Sequence, residues 1–129
     1  MDFLRPYSTQ LLSVLRMMTA LLLLQHASMK YLNFPVSQLN NASPMTMSGA
    51  AGVLEAIGGA LLIIGLFTRP VAFILSGLCA VAYFYSHAPR GFFPFLNGGE
   101  AAILYSFVLL YISAAGGGAW SVDAARGRE

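Results

Sequence analysis

Charged residues are scarce in this sequence. Of its 129 residues only 9% are Asp, Glu, Lys or Arg, whereas a soluble domain has roughly 25%. Hydrophobic residues make up 57% of the chain, and the mean hydropathy is +0.69. Charged side chains are too few to cover the surface of a water-soluble globule of this size. Lipid must therefore replace water over much of that surface. The composition therefore excludes a large soluble catalytic domain and indicates an integral membrane protein.

Cysteine pairs and basic clusters are also lacking. Cys79 is the single cysteine, which excludes an intramolecular disulfide, a C-x-x-C redox pair and a cysteine-ligated zinc or iron–sulfur site. Cys79 itself is interpreted as a small hydrophobic core residue. The 7 Lys and Arg residues are scattered singly, so no nucleic-acid-binding patch is predicted. Neither a metal site nor an intrinsic cofactor is predicted, and any redox chemistry would use a borrowed cofactor.

Four apolar runs predict four transmembrane helices. A span needs about 20 mostly apolar residues, and we place the spans at about 10–28, 48–67, 71–86 and 100–115. Pro, Gly and Asn in the intervening segments indicate loops, with a tight turn at 68–70. The prediction is an all-α fold: one antiparallel four-helix bundle, in a single membrane domain over 1–129. A cleaved signal peptide is the competing interpretation of the first run, but Arg16 inside it and the lack of a small-residue cleavage site disfavour that reading.

The basic residues predict the orientation of the chain. Four spans put both termini on one side of the membrane, and cytoplasmic loops carry an excess of Lys and Arg. Four arginines fall on the terminal side, namely Arg5, Arg69, Arg126 and Arg128. Lys30 and Arg90 fall on the other side. We therefore predict a multi-pass protein with both termini in the cytoplasm.

The polar residues of each span gather on one face. At 100° per residue, those of the first span fall within about 80° of arc; they are Arg16, Thr19, His26 and Lys30. In the second span, Glu55 lies among glycines and alanines that allow close helix packing, so it is expected to point inward. Tyr83 and His87 share a face of the third span, and Glu100 begins the fourth. These faces are expected to meet in the bundle interior.

Antiparallel packing brings one titratable side chain from each span into the outer half of the bundle. They are His26, Glu55, His87 and Glu100. Intramembrane ionisable residues are functional candidates by default, so His26 and Glu55 are predicted to form the proton-exchanging pair, within direct or single-water hydrogen-bonding reach. His87 and Glu100 are expected around the same outer cavity, and Tyr83 is a further candidate for ligand binding.

Plainer interpretations of these residues stay open. Glu100 follows Asn97-Gly98-Gly99 and can be an acid that stabilises a helix N-terminus. His87 can be a helix C-terminal cap, and His26 an interfacial residue. The basic residues Arg16, Lys30, Arg69 and Arg90 are interpreted as structural or charge partners. Arg16 lies near the start of its span and is expected to snorkel toward the membrane surface.

Two segments resemble the DoxX family of small bacterial inner-membrane proteins. GVLEAIGGALLIIGLFTRP, with Glu55, Gly65 and Arg69, is similar to the family's second helix and turn. LNGGEAAILYSFVLLYISAAGGGAWSVD resembles its last helix and cytoplasmic exit. His26 with Lys30 resembles the H-G-x-x-K end of its first helix, with Ala27 replacing the usual Gly. The resemblance runs from about Leu11 to Asp123 and implies a four-helix membrane bundle in the bacterial inner membrane.

The resemblance also implies an association with membrane oxidoreductase complexes. The family's name comes from a membrane subunit of a quinone-linked thiosulfate oxidoreductase. The first hypothesis is therefore a membrane subunit of a redox complex, with quinone bound at the His/Glu cluster and electrons supplied by a partner protein. The chain has no electron-carrying motif of its own, so it is not predicted to be an enzyme alone. The second hypothesis is a non-catalytic scaffold or assembly factor whose outer loop recruits a partner through GFFPF. Under either hypothesis a protein partner or a homo-oligomer is expected. A metal or small-solute carrier that uses His26, Glu55, His87 and Glu100 is a third interpretation, which the lack of local ligand spacing disfavours.

Overall fold

Helices account for almost all of the chain that the structure describes. A computed structural model describes residues 2–32 and 47–127, and none of these residues lies in a strand. The α-helices are α1 Ser8–Leu32, α2 Met47–Ile64, α3 Thr68–Ala82, α4 Pro94–Asn97, α5 Glu100–Ala115 and α6 Val122–Ala125. The all-α prediction is confirmed for this part of the chain. The central part of the predicted loop at 31–47, the side chain of Lys30 and Arg128 lie outside the described residues.

The turn between α2 and α3 differs from its prediction. α2 ends at Ile64, and Thr68, Arg69 and Pro70 form the first turn of α3 instead of a connection. The chain reverses direction at residues 65–67, where Gly65 has φ 73° and Phe67 has φ 52°. Proline is tolerated in the first helical turn because its missing N–H would be unpaired there anyway. The predicted turn at 68–70 is therefore a helix start.

α3 continues beyond Ala82 in altered form. Residues Tyr83–His87 make one π-helical turn, and Ala88–Arg90 make a 3-10 turn before the chain leaves at Gly91. Single π-helical turns inside helices occur frequently at functional sites. The whole helical stretch from Thr68 to Arg90 has 23 residues, which at 1.5 Å per residue is about 34 Å.

The four long helices pack through small residues and a shared aliphatic core. α1 packs mainly on α2, α3 packs mainly on α5, and contacts between α2 and α3 join the two pairs. A Cβ atom added to Gly58 would lie 2.8 Å from Leu75, and one added to Gly59 would lie 2.8 Å from Leu24. Glycine at these two positions therefore allows α2 to approach both neighbouring helices closely. The core residues are Ala20, Leu23, Leu62, Ala72, Leu75, Cys79, Leu109 and Ile112.

The outer surface of the helices is apolar. Phe73, Phe84 and Phe107 leave 62%, 71% and 67% of their surfaces exposed. A soluble monomer does not present large apolar side chains over whole helix faces. Two stretches, Arg5–Ser28 and Thr68–Arg90, are long and apolar enough to cross a membrane, and Gly49–Ile64 and Glu100–Ala115 are shorter apolar helices.

Candidate ligand-binding site

A cavity of about 430 Å³ lies among α1, α2, α3 and α5. It is bounded by the second half of α1, the first half of α2, the C-terminal part of α3 with its π-helical continuation, and the first half of α5. Its polar lining includes His26, Glu55, His87, Arg90 and Tyr105. Apolar side chains complete the wall, among them Leu23, Leu78, Val81 and Cys79. The cavity therefore combines ionisable groups from separate helices with a largely hydrocarbon surface.

Three of the four titratable residues singled out in the sequence line this one cavity. His26, Glu55 and His87 come from α1, α2 and the continuation of α3, so the predicted helix phases bring them to the same place. Glu55 is 93% buried, being only 7% exposed. Direct or water-mediated hydrogen bonding between His26 and Glu55 stays a prediction.

Glu100 lies outside the cavity. Its side chain is exposed and is not part of the cavity lining. The inward face of α5 carries Leu109 and Ile112, which are fully buried. Nine residues at 100° each put Leu109 about 180° from Glu100 around the helix. The expectation that Glu100 joins the cavity is therefore corrected: its face of α5 points outward, together with Leu104 and Phe107.

Tyr105 is a cavity residue that the sequence reasoning missed, and Tyr85 and Ser86 are two further lining residues that were not predicted. The ring of Tyr105 meets the His26 ring edge to face, with centroids 6.2 Å apart and planes at 89°. Tyr105 precedes Leu109 by four positions and Ile112 by seven, so it belongs to the buried stripe of α5. That spacing was the signal available in the sequence. The phenol adds a hydrogen-bond donor to the two imidazoles and the carboxyl group.

Tyr83 contributes to the site indirectly. It does not line the cavity; its hydroxyl accepts a hydrogen bond from Asn97 Nδ2 at 3.1 Å. Its ring stacks on His87, with centroids 6.4 Å apart and an interplanar angle of 27°. The Nδ1 atom of His87 lies 3.2 Å from the carbonyl oxygen of Asn97. The residues of the π-helical turn are thus tied to the short helix α4.

Arg16 lies at the opposite end of the helices, in a second polar site. It is 1% exposed, so it does not snorkel to an open surface as the sequence suggested. Its Nε donates to the carbonyl of Leu62 at 2.7 Å, and its guanidinium donates to the carbonyls of Gly117 and Trp120. The last carbonyls of a helix have no partner within the helix. Arg16 therefore satisfies the C-terminus of α2 and the segment after α5 at once.

Asp123 caps α3 in this second site. Its carboxylate accepts hydrogen bonds from the backbone N–H groups of Phe67 and Thr68, at 2.9 and 2.8 Å. Burial by itself raises the pKa of this carboxyl, but hydrogen bonds from Thr68 and Phe67 and the charge of Arg126 outweigh it, so the pKa of Asp123 lies below its ordinary value. Sequence spacing did not indicate this role, because Asp123 and the capped groups are 55 and 56 residues apart.

The remaining basic residues are spread over both ends. Arg69 is exposed and its Nη2 lies 3.5 Å from the carbonyl oxygen of Ala115. Arg90 lines the rim of the cavity and is also exposed. Of the predicted charge partners whose side chains the structure describes, Arg90 therefore lines the cavity with His26, Glu55 and His87. Arg16 and Arg69 contact backbone carbonyls at the other end of the helices.

Long apolar helices with exposed hydrocarbon faces and a partly polar interior define a helical membrane protein. The chain belongs to the DoxX family, whose model matches residues 11–88. It is 45% identical over 128 residues to an uncharacterized protein of Haemophilus influenzae, a match that covers 95% of this chain and 96% of that one. No solved structure matches the sequence.

Proposed function

We propose that the protein is a multi-pass inner-membrane subunit of a redox complex, and that its cavity binds the headgroup of a quinone. The observation that carries the proposal is the lining of one apolar cavity by His26, Glu55, His87 and Tyr105. In this proposal the four long helices form an antiparallel bundle across the membrane with both termini in the cytoplasm. The volume of about 430 Å³ is within the range of small-molecule pockets.

The lining suits the chemistry of a quinone. The ring and its tail are apolar, so the wall of Leu23, Leu78 and Val81 favours their burial. Each quinone oxygen accepts a hydrogen bond and needs a proton when the ring is reduced. Imidazole, carboxyl and phenol groups are the side chains that donate or exchange protons. Electrons would come from the flavin, haem or metal of a partner protein, because the chain carries no such motif.

The amount of quinone bound to the purified protein tests the proposal directly. The protein is purified in a mild detergent, extracted with organic solvent and analysed for quinones by liquid chromatography with mass spectrometry. We expect quinone in a fixed ratio to protein. A preparation that contains only the trace amount found with an unrelated membrane protein would contradict the proposal.

Cys79 supplies an independent occupancy assay without any engineering, since it is the single cysteine and lines the cavity. N-ethylmaleimide should alkylate it slowly, because Cys79 is only 7% exposed. A short-chain quinone should slow the reaction further in a concentration-dependent manner, whereas an alkane of similar size should slow it less. Equal protection by the two compounds would mean that the cavity does not recognise the headgroup.

A scaffold role is the second candidate, and one observation favours it. Phe92, Phe93, Phe95 and Leu96 expose 86%, 63%, 81% and 76% of their surfaces in the connection before α5. Such a cluster can dock a partner protein, although aromatic residues also settle at the membrane interface. A stoichiometric protein that copurifies without quinone, and that is lost when Phe92 and Phe95 are changed to Ser, would favour this role over the first.

A further inference from the structure

Asn97 is a buried hub beside the cavity. It is only 2% exposed. Its Nδ2 donates to the hydroxyl of Tyr83 at 3.1 Å and to the carbonyl of Gly91 at 3.0 Å. Its Oδ1 accepts from the N–H of Gly99 at 2.9 Å. One side chain therefore joins the π-helical turn at Tyr83, the connecting segment at Gly91 and the residue that precedes α5.

This hub also places a backbone acceptor against His87. The carbonyl oxygen of Asn97 lies 3.2 Å from His87 Nδ1. A carbonyl only accepts hydrogen bonds, so Nδ1 must carry the hydrogen. A neutral imidazole has one N–H, and Nε2 is then left with a lone pair. The stack of Tyr83 on the ring, with centroids 6.4 Å apart, further restricts its orientation.

We propose that Asn97 is a positioning residue that fixes His87 in the Nδ1–H form, so that His87 Nε2 accepts a hydrogen bond from a ligand hydroxyl in the cavity. A quinol carries such a hydroxyl, whereas the oxygens of a quinone only accept. The cavity would therefore bind the reduced form of its ligand more tightly than the oxidised form. The identity of the ligand rests on the proposed function, but the state of the His87 ring does not.

The ring state can be measured without any ligand. The chain has two histidines, so protein labelled with ¹⁵N-histidine and held in lipid nanodiscs gives two sets of ring signals, which His26→Gln assigns. At about pH 8.5, above the ordinary imidazole range, we expect His87 to be protonated at Nδ1 only. A His87 ring protonated at Nε2, or a mixture of the two forms, would overturn the positioning role.

Two variants separate Asn97 from its neighbour. Asn97→Ala should give a mixture of both forms at His87, because the loop loses all three side-chain hydrogen bonds. Tyr83→Phe removes one of the three and should leave the Nδ1–H form dominant. The His26 signals report whether each variant is folded. If Asn97→Ala is folded and His87 keeps a pure Nδ1–H signal, Asn97 does not position the ring.

Ligand selectivity is tested by titrating a short-chain quinone and its quinol under anaerobic conditions. One hydrogen bond corresponds to about a 2- to 10-fold preference, so the wild-type protein should favour the quinol by that factor and Asn97→Ala should lose the preference. Equal binding of the two forms alongside a pure Nδ1–H signal would overturn the selectivity while quinone binding stands. If neither form binds, the proposed function and the selectivity fail together, and the ring measurement still decides the role of Asn97.

Discussion

Glu55 and Glu100 are identical side chains in opposite surroundings. Glu55 is buried at the cavity, and Glu100 is exposed at the start of α5. A carboxyl inside an apolar helix layer is costly unless it is paired, protonated or used. The two positions therefore form a matched pair in which the same chemical change has different expected effects.

Glu55→Gln is expected to abolish function while the protein still folds. The amide keeps hydrogen-bonding capacity but does not exchange a proton. Complementation of a deletion strain and bound quinone per protein are the measurements, with Glu100→Gln as the control that should behave like wild type. Wild-type activity of Glu55→Gln would show that Glu55 is only a packing group.

Arg16 is expected to be essential for stability. Arg16→Met would remove the hydrogen bonds of the guanidinium to the carbonyls of Leu62, Gly117 and Trp120. The carbonyl of Leu62 keeps the N–H of Gly65 and that of Gly117 keeps the hydroxyl of Ser13, so the loss is that of hydrogen bonds from a charged donor, which contribute about 1.5–3 kcal/mol each. The temperature of unfolding in detergent should fall sharply, and little folded protein should accumulate. Arg69→Met removes an exposed guanidinium and should have little effect, so comparable losses from both variants would contradict the assigned network.

At the scale of elements, hydropathy predicted where helices lie better than which way they face. The span predicted at 100–115 coincides with α5, because an apolar run bounded by glycines has few alternatives in lipid. The face of α5 was assigned wrongly around Glu100, since the exposed Leu104 and Phe107 are as apolar as the buried Leu109 and Ile112. In lipid both faces of a helix are hydrophobic, so periodicity carries less information than in water.

The partners of Arg16 and Asp123 escaped sequence reasoning for a different reason. They are backbone groups, which every residue has, and they lie 46 to 104 residues from Arg16. Only the packed helices bring them together. By contrast, the convergence of His26, Glu55 and His87 followed from side-chain type and helix phase, both of which are written in the sequence.

The capping of α3 by Asp123 should make stability depend on pH. The pKa of Asp123 is lowered in the folded protein, so its contribution is fully present above the unfolded value of about 3.9 and is lost as pH falls through the lower folded value. Asp123→Asn should therefore unfold at a lower temperature than wild type at neutral pH, with the difference shrinking below about pH 4. A difference that stays constant from neutral pH to about pH 3 would argue against the charged cap.

For the molecule as a whole, the distribution of arginines predicts the orientation. A reporter that is active only in the cytoplasm, fused after Asp123, should be active, and one that needs the periplasm should be silent. The reverse pattern would overturn the orientation and put the cavity near the cytoplasmic face. Fusions within the connection around Phe92 should give the complementary result.

The Arg16 network also sets an order of events during biosynthesis. The carbonyl of Trp120 is 104 residues beyond Arg16, and at about 5–20 residues per second a ribosome needs roughly 5 to 20 s to synthesise that interval. Until that interval has been synthesised, Arg16 in the first helix lacks the carbonyl of Trp120 as an acceptor. The set of hydrogen bonds made by Arg16 is therefore complete only once Trp120 has been synthesised. Synthesis of the first helix and completion of the contacts of Arg16 are thus separate steps, and the segment after α5 completes the environment of a residue in α1.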